Sequence, residues 1–313
     1  MEIRRLGERG PLVSIVGVGC NNFGMRLDRP ATERVVGAAL DAGITHFDTA
    51  ELYGDGRSEE FLGRALGARR DDVVIATKFA PRPPDQPWTP GALRSRILEA
   101  CDLSLRRLGT DRIDLYYQHF WDSEAPLNEV KEAFATLVAQ GKVGAVASSR
   151  VTADQVDDGA SADVGFVATE IEWSLLRRDV EDSVVPAARR HGLGIVPFYP
   201  LASGLLSGKY HRGQPFPKGS RMDAMPYFSS IATDDNLRHV ERLRSWANAR
   251  GRSVLELAIA WLASHPEVSS VITGATTPEQ VRENVAAAEA WRLTPEELLE
   301  VSGLAVEPTH SGS

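Results

Sequence analysis

The chain has few cysteines, no excess of positive charge and no long apolar run, and each of these shortages excludes a class of protein. Only two cysteines, Cys20 and Cys101, occur in 313 residues, which excludes a disulfide framework and a thiolate zinc site and is expected in a reducing cytoplasm. Lys and Arg number 35 against 43 Asp and Glu, which disfavours nucleic acid and anionic membrane surfaces as partners. No stretch approaches the roughly 20 apolar residues of a membrane span, and the charged start MEIRRLGERG lacks the apolar core of a signal peptide. We therefore expect a globular, cytoplasmic protein.

Short β-branched runs alternate with longer helix-like stretches along the whole chain, which is typical of repeated βα units and a parallel sheet. The predicted strands are residues 14–19, 44–47, 73–77, 113–117, 143–147, 165–169, 194–198 and 268–273. The clearest predicted helices are residues 32–42, 89–108, 128–140, 180–190 and 234–250. Eight strands with helices between them close most simply into an α/β fold, the (β/α)8 TIM barrel, and we expect a single domain over residues 1–313.

Local signals mark the predicted helix boundaries. Thr89 and Thr277 each precede a proline and are predicted helix starts. Two stretches exceed the minimal repeat: a connection at residues 200–233, whose length favours a binding role, and a helix at residues 253–264 that we predict to be additional to the eight units. The tail from residue 307 is predicted to fray. Four glycines are predicted to end helices: Gly43, Gly109, Gly141 and Gly192.

Ionisable side chains follow three successive predicted strands. Asp48 and Tyr53 follow the second strand in HFDTAELYG, Lys78 follows the third, and His119 follows the fourth in LYYQHFWD. Because active sites of such barrels lie at the carboxyl ends of the strands, we expect these four side chains to converge. Taken singly, each has an ordinary structural interpretation as a helix cap, a rim residue, a solvated charge or a structural histidine.

The combination points to proton transfer. A lysine at the end of an apolar strand must be paired to be stable, and Asp48 can supply the countercharge of Lys78. The ammonium is expected to lower the pKa of Tyr53 from its ordinary value of about 10, which makes Tyr53 a candidate general acid. The histidine and carboxylates could instead bind a metal, but that leaves Tyr53 and Lys78 without a role, and we predict no metal. No zinc-hydrolase, serine-esterase, P-loop or Rossmann motif occurs in its required context.

Around these residues the sequence resembles the aldo-keto reductase family, most of all its branch of potassium-channel β-subunits and bacterial general reductases. The motifs GITHFDTAELYGDGRSEEFLGRAL, DLYYQHFWD, PLASGLLSGKY and GATTPEQVRENV extend the similarity over nearly the whole chain. The resemblance implies a catalytic tetrad of Asp48, Tyr53, Lys78 and His119 on a (β/α)8 barrel. It also implies NADPH-dependent reduction of aldehydes and ketones without a metal.

An NADP(H) site is implied by the same resemblance. Ser149 and Arg150 match a Ser-Arg pair of the channel-subunit branch, and Phe198 matches the aromatic residue that stacks on the nicotinamide. Glu170 stands where the family usually has Gln. Because a carboxylate only accepts hydrogen bonds, Glu170 is predicted to weaken carboxamide binding and, when ionised, to favour the cationic NADP⁺ over NADPH.

Further cofactor contacts are implied in the long connection and after the last strand. Lys209 and Arg221 match phosphate-binding positions of the channel-subunit branch, so we predict a preference for NADP(H) over NAD(H). The full implied set is Pro200, Leu201, Ser203, Gly204, Ser207, Lys209, Arg221, Gly274, Thr276, Gln280, Glu283 and Asn284.

The expected partner is a small carbonyl compound. Aromatic residues predicted to form an apolar wall for it are Trp88, Phe120, Trp121, Tyr227 and Phe228. Three alternatives remain open: an enone reductase, a sugar dehydrogenase working in the oxidative direction, and a cofactor-sensing regulatory subunit with little turnover. The complete tetrad favours catalysis.

Overall fold

Parallel strands form the centre of the molecule in the structure, a computed structural model that describes residues 1–80, 89–122, 125–160 and 164–304. A short hairpin, β1 (Ile3–Arg5) and β2 (Leu12–Ser14), precedes them. The parallel strands are β3 (Val16–Gly19), β4 (His46–Asp48), β5 (Val74–Phe79), β6 (Ile113–Gln118), β7 (Val143–Ser149), β8 (Ala168–Glu172), β9 (Gly194–Phe198) and β10 (Val271–Gly274).

The parallel sheet closes into a barrel. Each strand from β3 to β9 pairs with its neighbours in chain order, and β10 pairs with β3. Between β9 and β10, the Ile195 N–H donates to the Glu267 carbonyl and the Ile195 carbonyl accepts from the Ser269 N–H, both at 2.9 Å. The predicted (β/α)8 fold is therefore confirmed.

Helices surround the strands. They are α1 (Arg29–Asp41), α2 (Arg57–Leu66), α3 (Ala92–Leu108), α4 (Leu127–Ala139), α5 (Ala153–Ala160), α6 (Val184–Arg190), α7 (Arg221–Ala224), α8 (Asp234–Asn248), α9 (Val254–Ala263), α10 (Pro278–Ala290) and α11 (Pro295–Leu304). Short 3₁₀ helices lie at Cys20–Asn22, Tyr53–Gly56, Gly67–Asp72, Ala202–Ser207 and Pro226–Ile231. None of the described helices is both long enough and apolar enough to span a membrane.

The amino-terminal end of the barrel is closed by the hairpin, which the sequence analysis did not predict. Leu6 and Val13 are fully buried in the same apolar cluster as inward-facing strand residues such as Leu115. Gly7 adopts φ +60°, and a Cβ there would lie 2.5 Å from the carbonyl oxygens of Gly192 and Val167. Only glycine allows this close approach, so the hairpin fits tightly over the strand starts. The cavity must then open at the opposite end.

Most boundary signals are confirmed, with one exception. Thr277 accepts a hydrogen bond from the Gln280 N–H and begins α10, and the four predicted terminal glycines all adopt positive φ. The predicted start at Thr89 is wrong, because α3 begins only at Ala92 after a left-handed Gly91. The carboxylate of Glu129, on α4, accepts from the N–H groups of Gly91 and Arg94. This helix start is therefore capped by a distant residue that local sequence does not reveal.

The additional helix was also assigned wrongly. Within residues 253–264 the structure has α9 (Val254–Ala263), of which only Leu255 and Glu256 are not buried, and α9 packs against α10 as a helix of the barrel layer. The helices additional to the eight units are α7, α8 and α11. In α8 only Val240, Leu243 and Ala247 are buried. The difference follows from composition, because α9 is apolar on all sides and α8 has a narrow apolar stripe.

Four predicted strands start too early in the chain. Residues 14–19, 44–47, 165–169 and 268–273 were predicted, whereas the structure has Val16–Gly19, His46–Asp48, Ala168–Glu172 and Val271–Gly274. Ile44 shows the reason, because its N–H donates to the Ala39 carbonyl and closes the end of α1. The first apolar residues of such runs belong to the preceding turn. The strands therefore reach further toward the carboxyl end of the barrel.

Candidate active site

A cavity of about 420 Å³ opens at the carboxyl ends of the barrel strands. Gly19, Asp48, Glu170, Phe198 and Gly274, which end or nearly end five different strands, line it. The 200–233 connection covers one side and the start of α10 another. The position agrees with the general location of active sites in this fold.

Lys78 and Asp48 form an ion pair beneath the cavity. Lys78 is fully buried in β5, and its Nζ donates to Asp48 Oδ1 and, at 3.0 Å, to the Thr49 carbonyl. The burial of Lys78 disfavours its ammonium, but the negative charges of Asp48 and Glu170 outweigh that effect and raise the pKa of Lys78. Lys78 is therefore a permanent cation, and the pairing predicted from the sequence is present.

Tyr53 stands over this ammonium because of a tight turn. The chain leaves β4, and Gly54, Asp55 and Gly56 all adopt positive φ before α2 begins at Arg57. A Cβ on Gly54 would lie 3.1 Å from the backbone of Gly24, so the turn is held against the loop after β3. The Lys78 Nζ lies 5.6 Å from the centroid of the Tyr53 ring.

The predicted fall in the pKa of Tyr53 is wrong. Burial raises the pKa of its phenol above the ordinary value, the Lys78 charge opposes that rise, and the negative charges of Asp48 and Glu170 add to it. The prediction took account of the ammonium but not of burial or of the two carboxyls. Tyr53 therefore keeps its proton at neutral pH, as a general acid must.

His119, the fourth member of the predicted tetrad, packs against Tyr53. The two rings meet edge to face with centroids 5.8 Å apart. Burial, followed by the positive charges of Lys78 and Arg150, lowers the pKa of His119 to about 2. Its imidazole is therefore neutral, with one nitrogen that donates and one that accepts. The buried Nδ1 has no hydrogen-bond partner among the described residues.

Glu170 also reaches Lys78. Its Oε2 lies 3.2 Å from the Lys78 Nζ yet has no hydrogen bond within the described part of the chain. Burial and then the charge of Asp48 raise the pKa of Glu170 to about 7, although Lys78 opposes this. This contact with the tetrad was not predicted.

Nearly all predicted cofactor residues meet at the cavity. Arg150, Glu170, Phe198, and the predicted positions from Pro200 to Arg221 and from Gly274 to Asn284 all line it. Ser149 is buried beside it and pairs with Glu170 across neighbouring strands. Asn284 Nδ2 is buried without a hydrogen-bond partner among the described residues, and Gln280 Oε1 accepts from the Thr276 N–H at 2.8 Å.

The Arg221 guanidinium lies close to Gly274 at the outer part of the cavity, where position 274 has no side chain. The Arg221 Nη2 lies 3.8 Å from the point where a Cβ on Gly274 would be. Within the described residues no carboxylate pairs with the half-buried Arg221, and burial lowers the pKa of its guanidinium. The missing side chain at position 274 thus leaves room for a cation that comes from the long connection.

Strained backbone is concentrated at this end of the barrel. The non-glycine residues with positive φ in the described chain are Asp55, Arg150, Tyr199, Ala202 and Ser203. All five follow β4, β7 or β9 in loops at the carboxyl end. Such conformations cost about 1 to 3 kcal/mol each and persist where function requires a fixed loop.

The predicted aromatic wall is only partly at the site. Phe120 stacks on His119 at 4.2 Å between ring centroids and is 40% exposed, whereas Trp121 packs against the main apolar core. Phe228 lies over Arg221, and Tyr227 is largely exposed. Trp88 lies outside the described residues. The substrate-wall assignments stay predictions.

Comparison with known proteins identifies the family of this chain. The model of the aldo/keto reductase family matches residues 15–305. The chain belongs to the aldo/keto reductase family. It is 37% identical over 306 residues to a probable voltage-gated potassium channel subunit beta of Arabidopsis thaliana, covering 92% of each chain.

An enzyme and a solved structure extend the comparison. L-glyceraldehyde 3-phosphate reductase of Escherichia coli O157:H7 is 31% identical over 318 residues, covering 96% of this chain and 91% of that one. An aldo-keto reductase from Bacillus halodurans, solved in a holo form, superposes with a TM-score of 0.80 at 31% identity, covering 99% of this chain and 98% of that one. This aldo/keto reductase is therefore an oxidoreductase of carbonyl compounds by family.

The sequence analysis missed the contribution of the first barrel strand to the site. Asn21, Asn22 and Arg26, in the loop after β3, line the cavity together with Gly19. Arg26 Nη2 lies 3.5 Å from the Gly219 carbonyl on the far side. Inspection of the polar residues that directly follow the first strand, as was done for the second, third and fourth strands, would have identified Asn21, Asn22 and Arg26. In the described residues, no three His, Cys, Asp or Glu side chains come together as a metal site.

Proposed function

We propose that this protein is an NADP(H)-dependent oxidoreductase that reduces aldehydes or ketones to alcohols, with Tyr53 as the general acid. The observation that carries the proposal is the convergence of a buried Asp48–Lys78 pair, a protonated phenol and a neutral imidazole on one cavity. The name of the E. coli relative, an aldehyde-phosphate reductase, supports a carbonyl substrate.

The residues at the cavity fit a nicotinamide dinucleotide. Phe198 offers an aromatic face, and Ser149 and Glu170 stand where a carboxamide is read. Residues of the Leu201–Lys209 loop line the cavity and would hold the pyrophosphate, and the buried Nδ2 of Asn284, which has no hydrogen-bond partner among the described residues, suits adenine. Arg221 and Lys209 would hold the 2′-phosphate. When bound, the reduced cofactor supplies hydride to the carbonyl carbon.

The tetrad supplies the proton to the carbonyl oxygen and stabilises the negative charge that develops on it. Tyr53 gives its phenolic proton to the carbonyl oxygen, and Lys78 stabilises the resulting phenolate, while Asp48 holds the Lys78 Nζ in place. The neutral imidazole of His119 donates a hydrogen bond to the oxygen and so lowers the energy of its developing charge without adding a full cation.

Cofactor consumption tests the proposal directly. The oxidation of NADPH should be followed with a panel of aldehydes, ketones, sugars and enones at a fixed protein concentration. We expect turnover with saturated aldehydes or ketones. Turnover with enones alone, or NADP⁺ reduction by sugars alone, would assign the scaffold to the other reaction classes.

A regulatory subunit is the second candidate, because the relative from A. thaliana is named as a probable channel subunit. Its signature would be tight NADPH binding with no steady-state turnover on the whole panel. The protonated Tyr53 next to a permanent Lys78 cation favours catalysis instead.

A further inference from the structure

Glu170 places a second carboxyl on the one ammonium of the active site. It lies on β8, next to Ser149 of β7 in register, and its Oε2 is 3.2 Å from the Lys78 Nζ. Lys78 already donates to Asp48 and to the Thr49 carbonyl. Glu170 Oε2 is in ion-pair contact with that ammonium but, unlike Asp48 Oδ1, is not aligned to accept a hydrogen bond, and it has no other hydrogen-bond partner among the described residues. One ammonium therefore pairs with two buried carboxyls, and its contact with Asp48 is the closer one.

The charged groups around Glu170 do not correct this imbalance. They come from four successive strands and the loops after them: Asp48 from β4, Tyr53 from the loop after it, Lys78 from β5, Tyr117 from β6, His119 from the loop after β6 and Arg150 from the loop after β7. The phenols of Tyr53 and Tyr117 keep their protons because burial raises the pKa of both. His119 is neutral. Arg150 is exposed, with its Cζ 4.5 Å from the centroid of the Phe198 ring.

Glu170 lacks a countercharge of its own. Asp48 and Lys78 neutralise each other, so an ionised Glu170 adds a negative charge that only the exposed Arg150 offsets. A buried carboxyl in that position binds a proton more readily than an exposed one, and a further cation close to it would displace that proton. Glu170 lines the cavity beside Phe198, the aromatic face expected to hold the nicotinamide. The charge of that ring therefore decides the state of the carboxyl.

We propose that Glu170 couples the redox state of the bound nicotinamide to a proton. The carboxyl holds the proton beside a neutral, reduced ring and releases it beside a cationic, oxidised ring. The inference rests on the proposed function for the identity of the ligand. It makes Glu170 the residue that sets the relative affinity for the two cofactor forms, and it makes that ratio dependent on pH.

The sign of the pH dependence follows from linkage. Binding of NADP⁺ favours the ionised carboxyl, so its affinity rises with pH, by at most about tenfold per pH unit for one proton. Binding of NADPH buries the carboxyl against an uncharged ring, so its affinity falls with pH. Because the pKa of Glu170 is raised to about 7, the change lies in the neutral range. The 2′-phosphate also titrates at about pH 6, but both forms carry it, so it cancels from the ratio.

Calorimetry in buffers of different ionisation enthalpy measures the proton directly. NADP⁺ and NADPH should each be titrated into the protein at pH 7 in phosphate and in Tris. We expect NADP⁺ binding to release up to about half a proton and NADPH binding to take up as much, so the difference approaches about one proton. The difference should vanish in Glu170→Gln and persist in Glu172→Gln, which changes a half-buried carboxyl of the same strand that pairs with Arg177 at 3.8 Å.

The outcomes separate the two proposals. Binding of both forms with equal proton release in the unmodified protein would overturn the coupling and leave the proposed function standing. The same holds if Glu170→Gln, folded with an unchanged Tm, keeps the difference. Failure of both nucleotides to bind would overturn the proposed cofactor and the coupling together. A ratio of NADP⁺ to NADPH dissociation constants that falls with pH only when Glu170 is present supports the coupling.

Discussion

The inner and outer parts of the cavity carry opposite kinds of charge. At the inner part, Asp48 and Glu170 share the single ammonium of Lys78, and all three are buried. At the outer part, Arg26, Lys209 and Arg221 line the wall with Glu283 as the nearby carboxylate. The inner part therefore has fewer cationic than carboxyl side chains, and the outer part has more cationic than carboxyl side chains. One ligand with a cationic ring and several phosphates would correct both.

The inner and outer parts of the cavity also differ in whether their charged groups can change protonation near neutral pH. The pKa of Glu170, raised to about 7, lets this carboxyl change its protonation in the neutral range, whereas guanidinium groups stay charged at any working pH. The inner part can therefore respond to a reaction, and the outer part can only hold a fixed negative group. Chemistry and affinity should be separable by mutation.

The largest expected effect is on chemistry at the inner part. Tyr53→Phe removes the proton donor and keeps the ring, so carbonyl reduction should fall about 10² to 10⁴-fold, equivalent to roughly 3 to 5 kcal/mol of barrier. NADPH binding should stay within about twofold, because the outer part is untouched.

Tyr117→Phe is the matched control for that variant. The Tyr117 ring lies 5.4 Å from the same Lys78 Nζ, but its buried hydroxyl has no partner among the described residues and does not line the cavity. We expect near-normal turnover. Equal losses in the two variants would contradict the assignment of Tyr53.

Stability at the inner part should depend on Lys78. Lys78→Met leaves two buried carboxyls without their cation. Removing one partner of a buried ion pair costs about 3 to 5 kcal/mol, so we expect the free energy of unfolding to fall by that amount. Urea unfolding at constant pH measures it. Lys78→Met combined with Asp48→Asn should be less destabilised than Lys78→Met alone. An additive or larger loss in the double variant would show that Asp48 is not the carboxyl left unpaired.

The pH dependence of that stability has a definite sign. In the folded protein the pKa of Glu170 is raised from 4.5 to about 7, so the folded state binds the extra proton and stability is lost as pH rises across that window. Without Lys78 the window should extend above pH 7. Lys78→Met should therefore be relatively more stable in mild acid.

Much of this arrangement could be predicted from the sequence, because each strand end carries its own motif. Asp48, Tyr53, Lys78 and His119 were found from the polar residues at the ends of the second, third and fourth strands, and the structure brings them together. Arg26 was missed because the residues after the first strand were not considered in the same way. Those predictions needed only strand order and the rule for parallel barrels.

The rest depended on contacts between residues distant in sequence. The approach of Glu170 to Lys78 requires two strands on different sides of the barrel, and the start of α3 depends on Glu129 of α4. The raised pKa of Tyr53 reflects burial, which a local pattern does not measure. The hairpin at Ile3–Ser14 has strands of three residues each, too short to show a period.

At the outer part, Arg221→Ala should remove much of the preference for NADP(H). A lost hydrogen bond to a charged group costs about 1.5 to 3 kcal/mol, so the NADPH dissociation constant should rise about 10 to 150-fold while that of NADH changes little. Arg212→Ala is the control, because Arg212 lies in the same connection but pairs with Asp234. Similar losses for both nucleotides, or a wild-type preference for NADH, would refute the assignment.

The smallest expected effect concerns Arg26, which shares the outer part with Arg221 but is exposed. An exposed charge contributes little, so Arg26→Ala should weaken NADPH binding only about two- to fivefold at low salt. Because the Debye length shrinks from about 10 Å at 0.1 M to about 3 Å at 1 M, that contribution should disappear at high salt. The half-buried Arg221 is screened less, so its variant should keep most of its defect. Dissociation constants of both variants at the two salt concentrations measure this. If both defects fade equally with salt, Arg221 acts as a surface charge and the direct contact with the 2′-phosphate is wrong.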